Sequence, residues 1–119
     1  MAITASDCIR NGSVAVTLND ATASQTVDFS DKPDERIVLL VENANTVSNT
    51  TATITVSKGD FLSSNLGDLA VTVAKGDTVA IGPLESVRFK NSASEVTVGV
   101  AVTNSGTVSN VKISAVKLP

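Results

Sequence analysis

Carboxylates are the only side chains in this chain numerous enough to suggest catalysis: there are twelve Asp and Glu residues and no histidine. Without an imidazole the chain lacks the commonest general base, the usual activator of a serine or cysteine nucleophile and the commonest metal ligand. Two carboxylates at a fixed separation suffice for glycoside hydrolysis. Here, however, the acidic residues fall mainly in turns, such as Asp60, Asp68 and Asp77, or at strand edges, such as Glu85 and Glu95. In those positions they read as solvated groups that cap and solubilise. The chain also has neither Trp nor Tyr on which a sugar ring could stack. Asp31, Asp34 and Glu35 form a cluster of oxygen donors of the type a hard cation takes. Lys32 and Arg36 flank them, and the spacing is not that of an established calcium loop, so a charged loop is the better reading. No catalytic residue, cofactor or metal site is expected.

The remaining short motifs have equally plain explanations. Lys58-Gly59-Asp60 and Lys75-Gly76-Asp77 match adhesion tripeptides, yet each follows a candidate strand where a turn is needed. Asn11-Gly12-Ser13 and Asn49-Thr50-Thr51 match the glycosylation sequon, which matters only for a chain that is exported. Gly59 and Gly76 do not open a strand-to-helix turn, so neither forms a phosphate-cradling loop. Cys8 is the only cysteine and excludes an intramolecular disulfide; it reads as a small apolar packing residue.

The elements around these residues are strands. Apolar side chains recur with period two, the mark of a strand with one buried face. In Thr51-Ala52-Thr53-Ile54-Thr55-Val56 the apolar residues share one face and the threonines the other. Val96, Val98, Val100 and Val102 repeat this, with Thr97, Gly99 and Ala101 opposite. Shorter alternations at Val14/Val16/Leu18, Val27/Phe29, Leu69/Val71/Val73, Val79/Ile81, Val87/Phe89 and Val111/Ile113 predict further strands. Arg36 to Glu42 predicts another; its continuous run Ile37-Val38-Leu39-Leu40-Val41 suits a central strand covered on both faces, with an opposing sheet inside and a partner outside. Asn11-Gly12, the two Lys-Gly-Asp triplets and Asn104-Ser105-Gly106 supply turn residues that tolerate positive φ. Ser30 to Glu35 reads as a charged loop, and Phe61 to Gly67 has room for one helical turn.

Strands at this spacing predict an all-β fold: a single β-sandwich of about eight short, mainly antiparallel strands, of jelly-roll or immunoglobulin-like topology. Residues 13–119 form that domain. Residues 1–12, anchored by Ile3, Cys8 and Ile9, read either as an N-terminal arm docked on a neighbour's sheet or as the first strand. A domain of this size buries about two-thirds of its unfolded surface without metal or disulfide.

The net charge of −3, with the charges scattered singly, forms no basic stripe for a nucleic-acid backbone. Phe29, Phe61 and Phe89 are the only aromatics, too few for a stacking platform. No run approaches the ~20 apolar residues of a membrane helix, and residues 1–7 lack the basic and apolar regions of a signal peptide. A protein made and kept in a cytoplasm, unless some assembly carries it out, is the expectation.

One stretch is more specific, from Val73-Ala74-Lys75-Gly76-Asp77-Thr78-Val79-Ala80-Ile81-Gly82-Pro83 through Leu84-Glu85-Ser86-Val87-Arg88-Phe89-Lys90. Together with Asp34-Glu35-Arg36-Ile37-Val38-Leu39-Leu40-Val41-Glu42-Asn43, it resembles the head decoration, or capsid-stabilising, proteins of tailed bacteriophages and prophages. The resemblance spans Asp34 to Pro119 and is weakest before Ser30. It implies a non-enzymatic cement protein on the outside of the virion capsid, bridging subunits of the major capsid protein and forming a dimer or trimer there. No binding motif carries over residue by residue. Val87 and Phe89 are expected to face the core and Arg88 and Lys90 to face outward, towards an acidic partner; with Ile3 and Ile9 of the arm, these are the candidate partner-interface residues. The alternatives are another phage part, such as a tail or fibre-base protein, and an immunoglobulin-like adhesion or carbohydrate-binding module.

Overall fold

The computed structural model describes residues 2–28, 36–60 and 65–119, apart from the side chains of Ser86 and Val87. Phe29, the Ser30–Glu35 loop with its calcium candidates, and most of the helical turn expected at Phe61–Gly67 lie outside the described residues. The strands are β1 (Ala2–Ile3), β2 (Ser6–Asp7), β3 (Asn19–Asp20), β4 (Ser24–Asp28) and β5 (Ile37–Asn43), followed by β6 (Thr51–Val56), β7 (Leu69–Ala74), β8 (Thr78–Ile81), β9 (Glu95–Val102) and β10 (Val111–Lys117). A single helical turn, α1 (Ser86–Phe89), lies between β8 and β9.

The strands form two mixed sheets, β1-β4-β9-β6-β7 and β2-β10-β5-β8, with β3 also paired to β10. Their inner faces meet in one apolar core. From the first sheet come Val27, Ala52, Ile54, Val56, Val73, Val96, Val98 and Val100; from the second come Ile37, Leu39, Val41, Ile81, Val111, Ile113 and Ala115. Each fully buried Val, Leu or Ile side chain stabilises the fold by about 1.5–3 kcal/mol relative to exposure. Slipping a strand by one residue would turn its whole apolar set to water, so burial fixes register. The pairing of Ala52–Val56 with Val98–Val102 brings the two clearest alternations together.

Polar groups at the edge of this core are satisfied. The buried Asn43 side chain donates to Val73 O at 3.1 Å and accepts from Asn45 Nδ2 at 2.8 Å. Asn45 Oδ1 in turn accepts from Thr107 N at 2.8 Å. Because Asn43 ends β5 and Val73 lies on β7, this chain of bonds ties one sheet to the other. Buried Gln25 does similar work within its sheet, donating to Val98 O at 2.5 Å and accepting from Thr22 N at 2.9 Å.

Two sequence expectations fail. Val87 and Phe89 lie on α1, not on a strand: the Glu85 carbonyl accepts from Phe89 N at 3.1 Å and from Arg88 N at 3.3 Å, closing a helical turn. Two apolar residues alone do not distinguish a strand from a turn, and the turn buries Phe89 beside Leu84 in the core. Val14, Val16 and Leu18 form no strand either; pairing begins only at Asn19. Both edges of β10 are already used, one by β5 and the other by β2 and β3.

Candidate interaction surfaces

The outward faces of the two sheets follow from the residues left over by the core. On the first sheet, registered rows run Ser24–Gly99–Thr55–Ala70, Ala101–Thr53–Thr72 and Ala2–Thr26–Thr97. Every residue in these rows is Ser, Thr, Ala or Gly. Such short side chains on paired strands make a level, uncharged stretch, which ends at the acidic pair Asp28–Glu95 on the same face.

The second sheet differs because β5 is apolar at both parities. Ile37, Leu39 and Val41 enter the core, while Val38 and Leu40 face outward and are half-buried. On the neighbouring β10 the same outer face carries Ser114 and Val116, which are also buried. The backbone leaves β2 with Cys8 N donating to Lys117 O at 2.8 Å, then runs without strand structure to β3. Val16 and Leu18 from this run line a groove of about 270 Å³ with Leu40, Val41, Glu42 and Thr78. Ile9 is 61% exposed and Leu18 50% exposed, so the covering segment itself presents apolar surface.

The residues proposed as a partner interface separate. Ile3, on β1, is 2% exposed within the chain's own core. Residues 2–7 pair in both sheets, β1 in parallel with β4 and β2 in parallel with β10. Ile9 lies on the surface. Arg88 is half-buried and engaged by its own chain: Nε donates to Gly67 O at 3.1 Å, a terminal nitrogen to Asp68 O at 3.3 Å, and the guanidinium sits 4.7 Å from the Phe89 ring centroid. That arrangement uses the planar donors to fasten the loop before β7. Lys90 forms an isolated bridge with Val96, and its carbonyl accepts from Asp60 N at 3.1 Å. The four residues therefore do not form one patch.

Comparison with family models, curated proteins and solved structures yields no match.

Among the described residues no three His, Cys, Asp or Glu side chains gather as metal ligands, and no helix is long and apolar enough to cross a membrane. The groove residues Val16, Leu18, Leu40 and Glu42 were not expected to meet. The signals that point to them are the unbroken run at Ile37–Val41, which demands cover on a second face, and the nearby alternation at Val14/Val16/Leu18, which supplies part of it.

Proposed function

We propose that this chain is a non-enzymatic structural protein of a tailed-phage virion, which decorates the capsid and stabilises it by bridging subunits of the major capsid protein. The observation that carries this reading is the resemblance of the two segments 34–43 and 73–90 to head decoration proteins. A spatial fact supports treating those segments as one unit: Leu39–Glu42 on β5 pairs residue for residue with Thr78–Ile81 on β8. The architecture is a β-sandwich of jelly-roll or immunoglobulin-like type, supported by two sheets that share one core. Its outer faces, one level and mostly of small uncharged residues and the other grooved and largely apolar, are suited to burial against other protein surfaces. The chain acts on the capsid exterior, as a dimer or trimer, and each weak contact is reinforced by simultaneous engagement.

Phage shells lacking the protein are mixed with purified chain and pelleted, and the bound copies are counted while shell stability to heat is followed. Saturation at a fixed ratio to capsid subunits, with raised heat stability, is the expected result. Failure to bind any expanded shell overturns the proposal.

A further inference from the structure

The groove beside β8 has the construction of a strand-addition site, and its polar groups indicate what it accepts. β8 is the last strand of its sheet, and among the described residues nothing pairs with its outer edge. Asn43 N donates to Asp77 O at 3.0 Å, which fixes the phase of the β5–β8 ladder. Hydrogen-bonded and non-hydrogen-bonded pairs alternate along an antiparallel ladder. Val79 and Ile81 therefore direct their backbone groups at β5, and Thr78 and Ala80 direct theirs at the open edge.

The side chains of Thr78 and Ala80 stand on the same face as their register partners Glu42 and Leu40, which line the groove. Both are small. A strand added antiparallel to β8 would set one residue opposite Ala80 and, two places later, another opposite Thr78, both on the groove side. Each of these lies two strand spacings, roughly 10 Å, from β5, and only a small side chain intervenes. A long apolar side chain can reach over Ala80 to Leu40, and a long cationic one over Thr78 to Glu42.

Charge complementarity selects the cation. Glu42 is half-buried, and among the described residues no hydrogen bond or ion pair reaches its carboxylate. Lys112 is its register partner on β10, but the ammonium group is engaged by Asp20 Oδ1 at 2.5 Å and Ser109 O at 3.2 Å. We infer that the β8 edge captures an extended segment of another protein, in which a long apolar residue precedes a lysine or arginine by two positions. Main-chain bonds to Thr78 and Ala80 supply affinity, and the Leu40 and Glu42 subsites supply specificity. The inference does not require the virion reading, since any partner with such a segment fits.

The test uses the full chain and two synthetic strand-length peptides of alternating threonine. One has leucine two places before arginine, and the other has glutamate in place of the arginine. The arginine peptide is expected to slow amide exchange at Thr78 and Ala80, and to bind the Glu42→Lys chain about tenfold or more weakly. The glutamate peptide is expected to show the reversed preference. Ala80→Pro removes one outward donor while sparing the β5 ladder; it is expected to retain the native circular dichroism and lose peptide binding. Several results overturn the inference: no binding of either peptide at millimolar concentration, equal binding of both peptides to both chains, or binding without protection at Thr78 and Ala80. Concentration-dependent protection of those amides in the peptide-free chain would assign the edge to a second copy and overturn it as well.

Discussion

On β6 the outward residues are Thr51, Thr53 and Thr55, and on β5 they are Val38, Leu40 and Glu42, although Ala52, Ile54 and Val56 of the one and Ile37, Leu39 and Val41 of the other enter the same core. The first face suits water as it stands, because each half-buried threonine carries a hydroxyl that water can bond. The second would leave branched apolar side chains in water, and Val16 and Leu18 cover only part of it. An outward face thus keeps exposed apolar surface when the alternating pattern fails and the cover is incomplete.

Substitutions can separate the inner and outer roles of one strand. Leu39→Ala, in the core, is expected to cost about 2–5 kcal/mol, and Leu40→Ala, at the adjacent groove position, about 1 kcal/mol or less. Because the chain lacks Trp and Tyr, unfolding is best followed by far-ultraviolet circular dichroism in denaturant. Equal losses at the two positions would break the comparison.

Next in size is Asn43→Ala, which leaves Asn45 Nδ2 without its acceptor and removes the side-chain bond to Val73 O that joins the sheets. A loss of about 1–3 kcal/mol is expected, and Asn43→Asp, which sets a carboxylate against the Val73 carbonyl in a fully buried position, should cost at least as much. The same denaturation midpoints report this, and an unchanged midpoint would show that the link between sheets is dispensable.

Gly59→Ala is expected to cost about 1–3 kcal/mol. A Cβ at that position would lie 2.0 Å from the Lys90 carbonyl oxygen, so β-carbon addition must push the loop off the backbone beside α1. Ala at Gly76, where a Cβ meets nothing within 4 Å but φ is +80°, should cost less, about 1 kcal/mol. Calorimetric melting temperatures of the two variants would rank them.

The smallest effects belong to the level face and to the surface ion pair. Thr53→Val is expected to change stability by no more than about 0.5 kcal/mol. Asp20→Asn, which releases Lys112 from a pair exposed at 29% and 67%, should cost about 0.2–1 kcal/mol, less in high salt. It has a second consequence at the groove, where the freed ammonium can turn to Glu42 and weaken capture of a basic segment.

The strands that were readable from the sequence are those where burial alone decides the structure. Ala52, Ile54 and Val56 and their counterparts Val96, Val98 and Val100 occupy the faces that alternation predicts. Turn chemistry was equally readable at Asn11, Gly76, Asn104 and Ser105, all of which take positive φ. Gly59 shows the limit: its triplet is the same as that of Gly76, yet its glycine is required by a backbone thirty residues away in sequence. The path of Val14 to Leu18 was unreadable because which strand edges remain free depends on the whole sheet. Buried Asn43, Asn45 and Gln25 were unreadable because polar residues look alike whether they face water or a carbonyl.

The parallel pairing of β2 with β10 has a mechanical consequence. Ser6 and Asp7 lie beside Val116 and Lys117, and Cys8 N bonds to Lys117 O. Tension applied through residue 6 in one direction and residue 117 in the other slides these two strands lengthwise past each other, so their bonds bear the load together and do not open one at a time. Rupture then depends on the unfolding rate under force and not on the equilibrium stability of the fold, a property suited to a part that is pulled from both ends.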